Sequence, residues 1–148
     1  MRWTEVADGV WTLPASRSKT KTEIVRPLSK AAQAVLAAQP HDTEWAFTTT
    51  RIGPLKQFAA PKAKLDAAAG LSNYRLHDLR RTARSLLSRA GVNPDIAERC
   101  LGHTLPAIRA TYDRHRYLDE MAHAFEALAA LIERIVNPPA ADVIAFRR

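Results

Sequence analysis

Leu76-His77-Asp78-Leu79-Arg80-Arg81-Thr82-Ala83-Arg84-Ser85-Leu86-Leu87-Ser88-Arg89-Ala90 reads as one amphipathic helix. At about 100° per residue, Leu76, Leu79, Ala83, Leu86, Leu87 and Ala90 share an apolar face. His77, Arg81, Arg84 and Ser88 form the opposite face. Arg80 falls between, on the side of Leu87. A guanidinium at the edge of a core-facing stripe is costly unless something anionic meets it. His77 and Arg80 are three residues apart and therefore surface neighbours. Together they can present donors to one phosphate, Arg80 with its planar fork. The same pattern also suits a solvated basic helix with a salt-bridged arginine.

Punctuation on either side of this helix sets the remaining elements. Gly91 ends it, and Asn93-Pro94 supplies a cap and a first-turn proline for a short helix to Leu101, with Gly102 just past its end. Pro106 opens another short helix through Tyr112. A long helix is expected from about His115 to Val136, stopped by Asn137-Pro138-Pro139. In it Leu118, Met121, Phe125, Leu128, Ile132 and Ile135 follow alternating steps of three and four, the spacing of a narrow packing seam. That seam can dock on the chain's own core, or its end can pack on another subunit. Upstream, Pro61 suits the first turn of a helix that Gly70 ends, and Trp45-Ala46-Phe47 reads as a short buried segment. Ser29 caps a helix over roughly residues 30–39, stopped near Pro40. Val10-Trp11-Thr12-Leu13-Pro14 and Glu23-Ile24-Val25-Arg26 read as strands, with Pro27 marking an edge. Between them runs a small, polar, basic connection, Ala15 to Thr22, carrying Arg17, Lys19 and Lys21. The expected fold is mainly α with a small antiparallel β-sheet near the N-terminus.

Composition bounds the partner. The chain has 148 residues, the length of one domain, and is 47% hydrophobic and 25% charged, which suits a packed core and not a disordered chain. No stretch is apolar for long enough to span a bilayer, and Met1 to Glu5 lacks the layout of a signal peptide. One cysteine, Cys100, excludes an internal disulfide and a multi-cysteine zinc site. The expected setting is the cytoplasm. Lys and Arg number 22 against 15 Asp and Glu, a net charge of +7. That surplus fits a polyanionic partner, most simply double-stranded DNA bound in a salt-sensitive way, and also fits a merely soluble basic protein. No metal-ligand cluster stands out, and no cofactor or small-molecule substrate is expected.

Two further motifs carry possible chemistry. Leu101-Gly102-His103-Thr104 puts a histidine in the turn after a helix end, where it can be a local hydrogen-bonding residue or a ligand-facing one. Nine residues on, Tyr112 stands in Thr111-Tyr112-Asp113-Arg114-His115, polar company for a tyrosine. Tyr117 adjoins the apolar seam, and Tyr74 precedes the basic helix. A tyrosine, with a pKa of about 10, is a poor nucleophile unless cations stabilise its charge or a base takes its proton.

Taken in order, His77-Asp78-Leu79-Arg80-Arg81-Thr82, then Leu101-Gly102-His103, then Tyr112 resembles the C-terminal catalytic domain of the tyrosine recombinases, the phage-integrase family. Upstream, Ala15-Ser16-Arg17-Ser18-Lys19-Thr20 with Val25-Arg26-Pro27-Leu28-Ser29 resembles that family's β-hairpin lysine segment. Arg2-Trp3-Thr4-Glu5-Val6 resembles its lead into the first strand. The resemblance runs from residue 2 to about 117.

The resemblance implies roles residue by residue. Tyr112 is the nucleophile that forms a 3′-phosphotyrosine. Arg80 is the second catalytic arginine, His77 the first member of the H-x-x-R pair, and His103 the donor to the scissile phosphate. Lys19 is the general acid for the departing 5′ oxygen, with Lys21 as the alternative. Lys21, Arg81, Arg84 and Thr104 are expected on the DNA. His77, Arg80, His103 and Tyr112 are expected to converge on one basic concave surface, with Lys19 on a mobile hairpin nearby. Neither metal nor ATP is needed, because the covalent link stores the bond energy.

The family's first catalytic arginine lies upstream of the stretch matched by Arg2-Trp3, as does its DNA-clamping domain. The expectation is therefore a partial catalytic domain over residues 1–137 with a loose tail over 138–148: a fragment, a mis-called start or a decayed gene product. As such it is expected to form little or no covalent adduct unaided. Its activity is expected to be site-specific recombination or integration. The alternatives are a topoisomerase-like relaxing activity, a non-catalytic DNA-binding remnant, or a helical interaction domain that is basic by chance.

Overall fold

A computed structural model of the chain describes residues 1–48, 53–103 and 115–139. Within them lie a three-stranded antiparallel sheet in the order β1-β2-β3 and five helices. The strands are β1 (Val6–Ala7), β2 (Val10–Leu13) and β3 (Ile24–Pro27). The helices are α1 (Lys30–Ala37), α2 (Ala59–Ala69), α3 (Leu76–Arg89), α4 (Pro94–Leu101) and α5 (Leu118–Val136). The architecture expected from the sequence, mainly helical with a small N-terminal sheet, is the one observed.

The sheet is built by a tight register. Val10 faces both Ala7 and Pro27, while Trp11 faces Val6 on one side and Arg26 on the other. Pro27 lacks an N–H, which an edge strand such as β3 tolerates at its end. Strand β1 escaped the sequence reading because two residues are too few to show alternation. A turn at Trp3–Glu5 leads into it. Glu5 is buried and gathers the Arg2 backbone N–H at 2.9 Å, the Trp11 indole N–H at 3.2 Å and the Arg17 guanidinium. Arg2 and Arg17 both lie over the Trp45 ring, at 4.8 and 5.2 Å. Of the expected buried segment Trp45-Ala46-Phe47 only Ala46 is buried; Trp45 is half-buried and Phe47 is 42% exposed.

Helix ends follow local chemistry. The Ser29 hydroxyl accepts from Ala32 N–H at 3.3 Å, and the Asn93 side chain accepts from Asp95 N–H at 2.9 Å ahead of Pro94. The long helix begins at Leu118, three residues later than expected. Its preceding residue, Tyr117, has φ of 55°, a left-handed conformation that separates residues 115–117 from the helix.

The core is a triangle of α3, α4 and α5 closed by β3. Leu87, Ala97, Cys100, Met121 and Ala124 are buried together, and Val92, Ile96, Leu118, Phe125 and Leu128 pack around them. The buried line of α5 continues to Leu131, while Ile132 and Ile135 are exposed. A straight helix with 3.6 residues per turn drifts away from a strict three-four seam, so the expected seam loses its last two members. On α3 the apolar face is likewise covered only in part. Leu87 is fully buried, but Leu76 and Leu79 are 41% and 57% exposed, because α4 and α5 pack on the C-terminal half of the helix. Among the described residues no helix is long and apolar enough to cross a membrane. The helix expected from Pro106 to Tyr112 and residues 140–148 of the expected tail lie outside the described residues.

Removing the buried Leu87 side chain should show where α3 is anchored. Leu87→Ala is expected to cost about 2–5 kcal/mol, whereas Leu79→Ala should stay within about 0.5 kcal/mol. Urea unfolding of the two variants measures both; equal losses would mean that Leu79 is as deeply packed as Leu87.

Candidate functional site

The turn Leu101-Gly102-His103 is the hinge of the site. Gly102 has φ of 71°, the left-handed conformation that suits glycine. Gly102 N–H donates to the Arg99 carbonyl at 2.9 Å and His103 N–H to the Glu98 carbonyl at 3.0 Å, a Schellman closure of α4. The reversal brings the His103 ring back over its own helix, where Nδ1 bonds the Glu98 carboxylate. The helix reading of the sequence located this turn, and the structure adds the carboxylate that receives the ring.

Helix α3 supplies the facing wall. His77, Arg80, Arg81 and Arg84 line, with Leu101 and His103, one cleft of about 240 Å³. Arg80 crosses to α4 and donates from Nη2 to the Leu101 carbonyl. That carbonyl belongs to the last turn of α4 and has no intrahelical partner, and a cation there also suits the helix dipole. Arg80 therefore does not lie in the core beside Leu87; it is exposed at the junction of the two helices.

The four polar side chains of this wall divide by their partners. Arg81 pairs with Asp78 at 3.1 Å. Arg84 donates through Nε to Glu98 at 2.6 Å and through Nη1 to Ser88 at 2.6 Å. Asp78 is held below the ordinary carboxylate range, first by the Arg75 backbone N–H and then by Arg81. Glu98 is held low by its bond to His103 and then by Arg84. Among the described residues neither His77 nor Arg80 is paired with a carboxylate. The cleft thus keeps two donors whose charge or hydrogen-bonding capacity is not spent on an acid, which is what an anionic ligand requires.

Lys19 and Lys21 are exposed in the connection between β2 and β3 and are not among the residues lining the cleft. Several side chains of the connection and its flanks have partners. Arg17 reaches Glu5, Ser18 is buried with its hydroxyl 3.0 Å from that of Thr20, and Glu23 lies 3.8 Å from Arg116. Lys21 has φ of 55°. Thr104 and Tyr112 lie outside the described residues.

Two groups at this site were not found by sequence reasoning. Glu98 sits five residues before His103, and only the reversal at Gly102 makes them neighbours. Arg26, on β3, brings Nη2 so close to Gly102 that a Cβ there would lie 2.8 Å from it. The alternation of β3 gave no sign that its arginine would point toward α4.

Searches of curated proteins and of solved structures found no match. The profile of the phage integrase family matches residues 1–118, most of the 148-residue chain. With the helical architecture, the small N-terminal sheet and this match together, the chain belongs to the phage integrase family, whose membership implies DNA binding and site-specific recombination.

Proposed function

We propose that the cleft between α3 and the end of α4 binds the scissile phosphate of duplex DNA, and that Tyr112 cleaves the strand there. The observation that carries this reading is the cleft itself: His77, Arg80 and His103, from two separated motifs, line one cavity. Phosphoryl transfer asks the protein mainly for positioning and for cations around the phosphorus. His77 and Arg80 meet the non-bridging oxygens. His103, oriented by Glu98 through Nδ1, offers its other ring nitrogen to the same phosphate.

In the proposed reaction the Tyr112 hydroxyl oxygen bonds to phosphorus and passes its proton to His77, the proton-handling member of the H-x-x-R pair. The bond from phosphorus to the 5′ oxygen breaks, and that oxygen takes a proton from Lys19, or from Lys21 in the alternative. The product is a 3′-phosphotyrosine and a free 5′-hydroxyl. Attack by a 5′-hydroxyl reverses the step and rejoins a strand, so the phosphodiester energy is conserved. Lys21, Arg81, Arg84 and Thr104 hold the flanking backbone, whose contacts position the duplex without reading its bases.

A nicked suicide duplex, from which the cleaved piece diffuses away, tests the nucleophile. The assay is run on the chain alone and on the chain joined upstream to a segment supplying a second arginine. The joined form is expected to trap about 10²–10³ more covalent adduct, the scale of one preorganised charge-stabilising donor. In it Tyr112→Phe should abolish the adduct and Tyr117→Phe should leave it intact. Adduct surviving Tyr112→Phe would assign the chemistry to another residue.

The carboxylate of Glu98 makes a separate, pH-dependent contribution. Its pKa is lowered in the folded chain, so the stability it adds is present above the ordinary glutamate value of about 4.3 and is lost as pH falls through the lower folded value. Glu98→Gln should therefore lose less stability than the parent between pH 6 and acid conditions, roughly the range below pH 5. Urea unfolding across that range measures it; parallel pH curves for the two proteins would remove Glu98 from the network.

A further inference from the structure

We propose that Arg26 is a second guanidinium for the phosphate bound by Arg80, placed across the Leu101–Gly102 turn from it. This inference rests on reading the cleft as a phosphate site and adds to it a residue from the sheet.

Arg26 is half-buried on β3, opposite Trp11. Its recorded hydrogen bond runs from Nη1 to the carbonyl of its own neighbour Val25, at 2.7 Å. Nη2 lies against Gly102, where a Cβ would come within 2.8 Å. Arg80 meets the preceding residue of the same turn, at the Leu101 carbonyl. Two guanidiniums therefore reach one two-residue turn from different elements.

Nothing among the described residues neutralises this pair. Glu98, the carboxylate of α4 beside the turn, spends one oxygen on Arg84 and the other on His103. Cys100 is close to Arg26, but burial pushes its thiol up to about 11, so at neutral pH it carries no charge. Burial and then, beyond the opposing effect of Cys100, the charge of Arg80 hold Arg26 below its ordinary value. An arginine stays charged regardless. A half-buried guanidinium without an acid, facing a second guanidinium, works against folding; an apolar side chain would pack there at lower cost. A phosphodiester placed at the turn would offset both charges at once, with the fork of each arginine available for its oxygens.

The test compares Arg26→Met, Arg26→Lys, Arg80→Met and Arg134→Met, the last on the exposed end of α5 as a control, in binding to a 20-base-pair duplex over a salt series. Arg26→Met is expected to raise the melting temperature of the free protein, weaken binding about tenfold at low salt, and flatten the plot of log K against log salt by about 0.9, one phosphate contact. Arg26→Lys should keep the slope, and Arg134→Met should keep slope and affinity. If Arg80→Met flattens the slope while Arg26→Met leaves slope and affinity unchanged, Arg26 is not a phosphate ligand and this inference fails alone. If neither variant changes the slope, the reading of the cleft itself fails. A lower melting temperature for Arg26→Met with an unchanged slope would make Arg26 a structural residue and overturn the proposal.

Discussion

A helix that ends must hand its last carbonyls to something, and at α4 that requirement organises the whole site. Gly102 takes the left-handed conformation, the Glu98 and Arg99 carbonyls are satisfied by the turn, and the Leu101 carbonyl is left for Arg80. The same torsion folds His103 back onto Glu98 and clears the space that the Arg26 side chain enters. A residue with a Cβ at position 102 would meet two penalties together, an unfavourable φ and a contact at 2.8 Å. One backbone angle thus joins α3 and α4, which line the cleft, with β3, whose Arg26 lies against the turn.

The distribution of acids around that turn decides which cations are available. Asp78 holds Arg81, and Glu98 holds Arg84 and His103. Pairs as exposed as Asp78 with Arg81 add little stability. Their effect is orientational: they fix side chains beside the cleft and, among the described residues, leave His77 and Arg80 without acids. A net charge of +7 gives a general attraction to a polyanion, and the pairing pattern turns part of it into a localised one. In the proposed reading Glu98 is a positioning residue: it bonds Arg84 on one wall of the cleft and His103 on the other, and a carboxylate does not itself suit contact with an anion.

Much of this was legible in the sequence because the relevant signals are local. Ser29, Asn93-Pro94, Gly70 and Gly102 each mark a helix end by chemistry confined to a few residues, and the helices end where those residues stand. The H-x-x-R spacing placed His77 and Arg80 on adjacent surface positions, and both line the cleft. What the sequence hid depends on packing. Leu76 and Leu79 have the period of a buried face yet remain exposed, since periodicity reports which residues share a face and not what covers it. The alternation of α5 pointed to Ile132 where the straight helix buries Leu131. Glu98 and Arg26 were invisible for a third reason: each becomes part of the site only through a neighbour from another turn or another element. Lys19 and Lys21 sit in the connection where they were expected, apart from the cleft lining, and Tyr112 and Thr104 lie outside the described residues.

Helix α3 shows how such a site can be carried by so small a core. Its C-terminal half is anchored by Leu87, which packs with Ala97, Cys100, Met121 and Ala124. Its N-terminal half carries His77, Arg80 and Arg81 and contributes no buried residue. Because an α-helix transmits position along its axis with little bending, the buried half can fix the charged half to within the tolerance that the proposed phosphate site demands. The charged half need not be stabilising in its own right. Crowding Arg80, Arg81, Arg84 and Arg26 near one turn costs folding energy, and the interlocked contacts of α3, α4, α5 and β3 must exceed that cost. The division of labour also explains why the cleft opens at the end of α4 and not over its middle. Only at a helix terminus are backbone groups left unpaired, so only there can a side chain such as Arg80 be oriented by backbone and still direct its remaining donors outward.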